Sequence, residues 1–312
     1  MAQTDQDVEI HPMMEEVLKP LLYADIFDYP LTFKEIHRFL EFKASPDTVR
    51  MLLDEAVQTQ RITLVGQYYC FTDKTHLPAL RQKRQQASRR LWPKALHYGR
   101  WIASLPFVRQ VSITGSLAVN NPRDDGDDID FFIITAPNRL WLCRALMILM
   151  VRLGRKRGVH LCPNYLLTEN VMVFHENNLY IARELLQMVP IYGKDAYLKI
   201  RAENDWVTTY LPQAEDPNLD KLNDTLSQAQ TLLKQVSEFL LRGPVGNLAE
   251  KYLRRWQMNK HLKLAAQYGA LDKVTFTADE CKGHYDGHGQ KTLTAYRNRV
   301  NQQGLTHNGK LQ

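Results

Sequence analysis

The sequence predicts a mixed α/β protein of the α+β class, with helices before and after a central sheet. Three observations support this class. Apolar residues recur at helical spacing near both ends of the chain. Between them, residues 111–114 and 129–135 form apolar runs of strand length on either side of an acidic loop. The 312 residues are also enough for about two domains with a substantial core.

The first part of the chain predicts three helices in succession. The apolar spacing of residues 13–26 predicts the first. Thr32 and Glu35 stand at capping-box spacing and predict the start of the second. The pair Ser45-Pro46 predicts the third, because serine caps a helix start and proline fits its first turn.

Two short strands complete this segment, residues 13–74. Residues 61–65 and 68–71 flank a two-residue turn that begins with glycine. Three helices followed by such a hairpin resemble a winged-helix domain, whose third helix reads DNA when it is basic. Here the third helix is net acidic, with Asp47, Asp54 and Glu55 against Arg50. We therefore expect this winged-helix-like domain to serve packing, dimerisation or partner contact rather than DNA binding.

Residues 75–104 predict one long basic linker helix that leads into the central sheet. The chain has a formal net charge of +6 and a pI near 9.0. Between Lys74 and Arg123 the sequence has no acidic residue. Such a helix could attract a triphosphate or an RNA backbone. The alternative interpretation is a solvated helix face paired with acids elsewhere in the chain.

Two aspartates lie at the start of the second apolar run of the central segment. Asp128 and Asp130 are two residues apart in a predicted strand, so their side chains leave the same face with Cβ atoms roughly 7 Å apart. Carboxylate oxygens at such a separation can converge on one or two hard cations, and Mg²⁺ prefers oxygen ligands. The sequence therefore predicts a metal site formed by Asp128 and Asp130.

Gly115 and Ser116 end the first apolar run. Glycine lets the backbone turn sharply and approach a ligand without a Cβ in the way. Backbone N–H groups that open a following helix would then face an anion. We interpret Gly115 and Ser116 as the residues that bind nucleotide phosphates. Metal and phosphate sites in this arrangement indicate nucleotidyl transfer, in which positioning and electrostatics supply most of the catalysis.

Together these motifs resemble the signature of the DNA polymerase beta-like nucleotidyltransferase superfamily, in which Gly-Ser is followed at a distance by Asp-x-Asp. The resemblance covers residues 105–193 and implies a nucleotidyltransferase core with a mixed sheet. It implies that Asp128 and Asp130 are catalytic and hold the metal, and that Gly115 and Ser116 bind the nucleotide. The implied reaction transfers a nucleoside monophosphate from an NTP such as ATP to an acceptor, with release of pyrophosphate. The implied cofactor is Mg²⁺, with Mn²⁺ as an alternative ion.

Many members of this superfamily carry a third acid on a later strand. Residues 160–168 predict that strand, yet Asn164 stands where an aspartate is expected. Glu169 at the end of the strand is the best substitute. Glu176 and Glu184 are further candidates, although Glu184 lies in a run with the spacing of an amphipathic helix. A solvated or ion-paired position on that helix is the favoured interpretation of Glu184.

The missing third acid leaves a second interpretation open. The chain could be a non-catalytic regulator that senses nucleotide, or binds nucleic acid or protein, through a degenerate nucleotidyltransferase core. Within the enzyme hypothesis the acceptor is unknown and could be RNA, a protein or a small molecule. A basic residue such as Arg109 or Arg123 would compensate charge at the site.

Residues 194–312 predict a helical region. Its predicted helices cover residues 195–210, 217–241, 245–268 and 291–300. The second of these has an apolar stripe at helical spacing, and we expect that stripe to pack on the catalytic domain. The stripe consists of Leu222, Leu226, Ala229, Leu232, Leu233, Val236 and Leu240.

The cysteines and the longest apolar run predict a cytoplasmic protein without a membrane partner. Cys70, Cys143, Cys162 and Cys281 are widely scattered, and the amino terminus lacks the apolar core of a signal peptide. Residues 140–151 are shorter than the ~20 residues of a bilayer span, so we expect a buried helix beside the sheet. Cys281, His284 and His288 offer too few soft ligands to favour a zinc site.

Overall fold

The structure is a computed structural model that describes residues 12–214, 219–283 and 287–305. It is mixed α/β, and this confirms the predicted fold class at that level. The helices are α1 (Pro12–Asp25), α2 (Phe33–Arg38), α3 (Pro46–Gln58), α4 (Leu77–Ala103), α5 (Gly115–Ala118), α6 (Leu140–Lys156), α7 (Leu179–Gln187), α8 (Lys194–Glu203), α9 (Val207–Tyr210), α10 (Gln228–Leu241), α11 (Pro244–Gln267) and α12 (His288–Gln302). The strands are β1 (Leu31–Thr32), β2 (Ile62–Val65), β3 (Tyr68–Phe71), β4 (Val108–Thr114), β5 (Ile129–Thr135), β6 (Leu161–Thr168), β7 (Val189–Tyr192), β8 (Thr275–Phe276) and β9 (Glu280–Lys282).

The helices of the first half lie close to their predicted bounds, whereas two predictions in the second half were wrong. The single helix predicted over 195–210 is replaced by α8 and the short α9. The helix predicted over 217–241 begins only at α10, because Ser227 caps it by accepting a hydrogen bond from the backbone N–H of Gln230. Residues 217 and 218 of that prediction lie outside the described residues.

The chain divides into two compact units. Unit 1 contains the described residues within Met1–Gln82, Trp206–Glu215 and Thr292–Gln312, and unit 2 contains those within Lys83–Asp205 and Asp216–Lys291. The predicted phosphate-binding and metal-binding residues all belong to unit 2. The predicted winged-helix-like segment belongs largely to unit 1.

Within the described residues, unit 2 is built on a six-stranded mixed sheet in the order β7-β4-β5-β6-β9-β8. β5 and β6 are parallel, and the other neighbouring strands are antiparallel. One face of the sheet is covered closely by α4. A Cβ built on Gly99 would lie 2.1 Å from Cδ1 of Ile191 and 3.5 Å from Cε1 of Phe131. The absence of a side chain at Gly99 therefore lets α4 approach the sheet.

The first turns of α6 are buried as residues 140–151 predict, whereas Leu149 in the same run is 51% exposed. Trp141 and Cys143 are both 0% exposed. Glu250 of α11 accepts hydrogen bonds from the backbone N–H groups of Trp141 at 3.0 Å and Leu142 at 2.7 Å. These contacts satisfy donors that the first turn of a helix leaves without intrahelical partners. No helix in the described part of the chain combines the length and apolar character needed to cross a membrane.

The apolar stripe predicted to pack on the catalytic domain is largely exposed instead. Leu222 and Leu226 precede α10 rather than forming part of it. Within α10, Leu232 exposes 61% of its surface, Val236 48% and Leu240 64%. The helical spacing of these residues was predicted correctly, but the side of the helix that meets the protein was not.

α10 is attached to unit 2 by its two charged side chains. The Lys234 ammonium donates hydrogen bonds to the backbone oxygens of Ala103 at 2.7 Å and Val108 at 2.6 Å. The Glu238 carboxylate accepts one from the backbone N–H of Phe107 at 2.7 Å. These backbone groups need polar partners, and charged side chains make strong hydrogen bonds with them. The helix therefore turns its polar side inward, which is the physical reason why the packing prediction failed.

Unit 1 contains the helix caps and the hairpin that the sequence predicts. The Thr32 hydroxyl accepts a hydrogen bond from the backbone N–H of Glu35 at 3.4 Å, and the Ser45 hydroxyl accepts one from Thr48 at 3.1 Å. β1, β3 and β2 form an antiparallel sheet in that order. Gly66 in the β2–β3 turn has φ +64, the left-handed conformation that such a turn favours.

Arg81 is the central polar residue of unit 1 and is only 5% exposed. Its guanidinium donates to both carboxylate oxygens of Glu35, at 2.8 and 2.7 Å, and to the backbone oxygen of Pro30. It also lies 4.1 Å from the ring centroid of Tyr29 and 4.6 Å from that of Tyr68. Burial alone would raise the pKa of Glu35, but the hydrogen bonds and charge of Arg81 outweigh it and lower that pKa.

We expect the substitution Glu35→Ala to lower the free energy of unfolding of unit 1 by about 2–4 kcal/mol, because it leaves a buried guanidinium without its counter-charge. Urea unfolding at neutral pH measures this. The control Asp54→Ala, at an exposed position of α3, should change it by less than about 0.5 kcal/mol. The pKa of Glu35 is lowered in the fold, so its contribution is present above the ordinary carboxyl pKa and is lost as pH falls through the folded value. Equal stability of variant and wild type at neutral pH would contradict the prediction.

Candidate active site

The predicted phosphate turn and the predicted acidic strand meet at one end of the antiparallel β4–β5 pair. Thr114 of β4 pairs with Asp130 of β5, so Gly115 lies against the Asp130 side chain. Gly115 has φ +65, a left-handed conformation. A Cβ built on it would lie 2.4 Å from Oδ2 of Asp130. Any other residue at this position would displace the carboxylate and strain the backbone.

Ser116 is fixed by the loop between β4 and β5. Its hydroxyl donates a hydrogen bond to Oδ2 of Asp127 at 3.1 Å, and the same oxygen accepts one from the backbone N–H of Arg123 at 3.0 Å. The Arg123 guanidinium lies 3.6 Å from Asp127, and its side chain is 84% exposed. Arg123 therefore has an exposed guanidinium, ion-paired with the same aspartate that binds Ser116. Asp127 was not among the predicted site residues, although it directly precedes Asp128.

Asp130 is half-buried and lies among other carboxylates. The pKa of Asp130 is raised to about 7. Burial is the main cause, a hydrogen bond with the Cys162 thiol opposes the rise, and the charges of Asp128 and Asp127 add to it. Asp128 is more open, with 65% of its side chain exposed, and its Oδ1 lies 3.9 Å from Nδ1 of His160. Because like charges disfavour one another at such close range, this cluster would gain from a bound cation or proton.

Glu184 adds another carboxyl group to this cluster. It lies on α7 and is half-buried. The pKa of Glu184 is raised to about 7, mainly by burial and to a smaller extent by the charge of Asp130. Glu184 is therefore half-buried and interacts with the charge of Asp130, whereas the sequence favoured a solvated or ion-paired position. The signal was present in α7 itself, because buried residues surround Glu184 in sequence: Ile181, Ala182, Leu185 and Leu186.

Glu169, the favoured third acid, lies at the other end of the sheet, so that prediction was wrong. Asp130 pairs with Cys162 at the start of parallel β6, whereas Thr168 pairs with Thr135. Five residues of strand separate the two ends, or about 16 Å. The position of Glu169 follows from strand direction: in a parallel pair the start of one strand lies beside the start of the next.

Two further residues that the sequence offered for the site, Arg109 and Glu176, form ion pairs elsewhere. Arg109 is near the start of β4, with Nη1 2.9 Å from Glu238 and Nε 3.9 Å from Glu169. It is therefore remote from Gly115 at the opposite end of that strand, and its predicted role in charge compensation was wrong. Glu176 pairs with Lys282 at 2.7 Å on the exposed surface.

Asn164 does lie beside the site, where the sequence predicts the third acid. Its Nδ2 donates a hydrogen bond to Oγ1 of Thr114 at 3.3 Å. The strand was therefore placed correctly by the sequence, although the acid at the site comes from α7 instead of β6. The interaction between the charges of Glu184 and Asp130 depends on tertiary structure, because the two residues are far apart in sequence.

A cleft of about 380 Å³ opens beside Asp128. Arg144 and Arg155 of α6 line it, together with His160 and His261. Burial lowers the pKa of His261 to about 4, and the nearby positive charge of Arg144 adds to this, so the imidazole is neutral at physiological pH. Two arginines beside one carboxylate make the cleft suitable for an anionic group.

The described residues contain no preformed metal site. Among them, no three histidine, cysteine, aspartate or glutamate side chains are already arranged to hold a metal ion. Cys281 is buried in β9, and His284 of the disfavoured zinc motif lies outside the described residues. A metal at the Asp128–Asp130 pair would accordingly need oxygen ligands from its substrate or from solvent.

Comparison of the chain with protein-family models, with curated proteins and with solved structures gives no match. The resemblance carried by Gly115, Ser116, Asp128 and Asp130 thus stays a prediction. The chemistry of the site is inferred from its own residues.

We expect Gly115→Ala to destabilise the protein by about 1–3 kcal/mol, because it adds backbone strain and forces the Asp130 carboxylate to move. The matched control is Gly158→Ala, since Gly158 has φ +67 but no atom within 4 Å of the added Cβ. Thermal unfolding of both variants measures the difference. If the two substitutions lower the free energy of unfolding equally, the contact between Gly115 and Asp130 does not affect stability.

We expect Glu184→Gln to stabilise the protein at pH 8 by about 1–3 kcal/mol and to have little effect at pH 4. The pKa of Glu184 is raised from 4.5 to about 7 in the folded state. The stability linked to that proton is therefore present below pH 4.5 and is lost as pH rises through about 7. Urea unfolding across this range is the measurement, with Glu169→Gln as the control. If the free energy of unfolding of Glu184→Gln changes with pH in parallel with that of wild type, the pKa of Glu184 is not raised in the folded protein.

Proposed function

We propose that this chain is a Mg²⁺-dependent nucleotidyltransferase of the polymerase beta-like kind. The observation that carries the proposal is the contact between Gly115 and Asp130 at the end of the β4–β5 pair. The two halves of the motif are separated in sequence by a loop, yet they are neighbours in space. A phosphate bound at the Gly-Ser turn would lie next to the carboxylates.

Asp128 and Asp130 are the residues that would hold the metal. They fit Mg²⁺ because their donors are carboxylate oxygens, and because burial, together with the charges of Asp128 and Asp127, raises the pKa of Asp130 to about 7. In the described part of the chain, no lysine or arginine forms an ion pair with Asp130. When bound there, Mg²⁺ would neutralise phosphate charge and help hold the attacking and leaving oxygens in line.

Gly115 and Ser116 would hold the phosphates of the nucleotide. The missing Cβ of Gly115 lets a phosphate approach the backbone, and the Ser116 hydroxyl lies within the same loop network. Arg123 would compensate phosphate charge, because its guanidinium is exposed and near the turn. The arginines of the cleft, Arg144 and Arg155, provide further positive charge beside Asp128.

The transfer step would form one bond and break one bond at the α-phosphorus. The hydroxyl oxygen of the acceptor bonds to the α-phosphorus while the bond from that phosphorus to the bridging oxygen breaks, so pyrophosphate leaves. Glu184 would accept the proton of the acceptor hydroxyl. Its pKa of about 7 suits a general base at neutral pH. Glu184 thus takes the role that the sequence assigned to a third acid on a strand.

The rival hypothesis is a regulator that binds nucleotide without turning it over. It draws support from the same described residues, in which no group of three metal ligands is ready-made. Asn164 at the expected third-acid position also favours it. Binding and turnover must therefore be measured separately.

The decisive experiment is calorimetric titration of the full chain with each of the four ribonucleoside triphosphates in Mg²⁺. We expect one nucleotide to bind, and we expect the double variant Asp128→Asn, Asp130→Asn to weaken that binding by at least about 100-fold, because the metal ligands are lost. Glu169→Gln is the control, since it removes an acid at the far end of the sheet and should leave the affinity unchanged.

Pyrophosphate release in the presence of RNA, protein or small-molecule acceptors then separates the two hypotheses. Release by wild type that is lost in the double variant supports the enzyme. Nucleotide binding without release from any acceptor class supports the regulator. No binding of any triphosphate by wild type would contradict a preformed donor site at Gly115 and Asp130.

A further inference from the structure

The outward face of α10 is apolar, although this helix lies at the surface of unit 2. Its charged residues, Lys234 and Glu238, both contact backbone groups of the unit. The large side chains on the opposite side expose about half or more of their surface: Leu232 61%, Leu233 53%, Val236 48%, Phe239 64% and Leu240 64%. A surface helix normally shows the reverse arrangement, with its apolar stripe toward the core. The inversion indicates that something outside the unit covers this stripe.

α11 extends the exposed apolar surface. Val245, Leu248, Tyr252 and Trp256 expose 69%, 72%, 69% and 53% of their surfaces, at the spacing of one helix face. The turn that joins the two helices is tight, because a Cβ on Gly246 would lie 1.6 Å from the backbone oxygen of Leu241. The last turn of α10 and the first turn of α11 therefore adjoin. We call the nine exposed apolar side chains of α10 and α11 named above the hairpin face.

The area of the hairpin face is that of a protein interface. Nine large apolar side chains, three of them aromatic, each expose about half or more of their surface, so the exposed area is on the order of 1,000 Å². Apolar patches on monomeric proteins rarely exceed about 600 Å². A standard protein interface buries about 800 Å² on each partner. The face is thus large enough for a stable association.

A groove of about 680 Å³ runs beside this face, between α4 and α10. Leu96 and Trp101 of α4 line one side, and Ala229 and Leu233 of α10 line the other. Trp101 is 41% exposed. His97, Arg100, Ser227 and Gln230 also line the groove. One surface of unit 2 therefore carries both a ridge of apolar side chains and a groove of mixed polarity. A two-fold axis brings the same surface of each copy together, so a ridge and a groove on one surface can complement each other.

We propose that the hairpin face pairs with the same face of a second copy of this chain, forming a two-fold symmetric dimer. A charged partner would be poorly matched, because the outward side of α10 carries no charged side chain in the described structure. A helix that binds a bilayer surface carries basic residues around its apolar stripe. Exposed basic residues such as Lys251 and Arg255 occur along α11, but α10 has none. A flat membrane would also leave the groove unfilled.

The test is the mass of the full chain in solution, measured by light scattering and sedimentation over a range of micromolar concentrations. We expect wild type to have twice the mass of one chain. The double variant Val236→Glu, Leu240→Glu should raise the dimer dissociation constant at least about 100-fold, because two charges on each copy would be buried without partners. Phe239→Ser, which removes an exposed ring without adding charge, should weaken the dimer less.

The matched control is Leu149→Glu, Leu153→Glu on α6. These leucines are also four residues apart and are 51% and 47% exposed, so the control introduces the same charges at the same spacing outside the hairpin face. Circular dichroism and thermal unfolding confirm that each variant is folded. The proposal is overturned if wild type is a monomer at every concentration, including a monomer that binds anionic vesicles. It is also overturned if the dimer survives both Val236→Glu, Leu240→Glu and Phe239→Ser, or if the α6 control dissociates it equally.

Discussion

The contact between the Gly115 backbone and the Asp130 carboxylate is the constraint on which the site depends. It arises from the antiparallel register that pairs Thr114 with Asp130. With a Cβ position only 2.4 Å from Oδ2 of Asp130 and φ of +65, position 115 accepts glycine and little else. The same register brings Asp127, Asp128 and Ser116 into one loop around that carboxylate. Moving the register by one residue would send Asp130 to the other face of the sheet.

The second organising feature is the distribution of carboxyl groups around β5. Asp130 and Glu184 both have pKa values raised to about 7, and in each case burial is the main cause and the charge of another carboxylate adds to it. Structural acids far from a site are instead paired with bases, as Glu35 is with Arg81. Acids held close together without such partners cost free energy in the folded protein. A cluster of acids that the fold holds together despite this free-energy cost is suited to binding a cation or to proton transfer.

Much of the site could be predicted from the sequence because its signals are local. Alternation along β5 and glycine at the end of β4 both follow from residues close in sequence, and so do the caps of α2 and α3. Glu169 and Arg109 were misplaced for the opposite reason. Both belong to strands that reach the site, but strand direction carries each of them to the far end of the sheet. Neither strand direction nor pairing is written in the composition of the strand itself.

α10 and Glu184 show where the sequence alone reaches its limit. The sequence determined the helical spacing of α10, the mixed α/β class and the local motifs at Gly115 and Asp130, because each depends on backbone geometry over a few residues. Tertiary structure alone decided that Lys234 and Glu238 face the sheet, and that Glu184 rather than Glu169 approaches Asp130. Periodicity fixes which residues share a face of a helix, but the partner of each face is set by polar and apolar groups from distant parts of the chain.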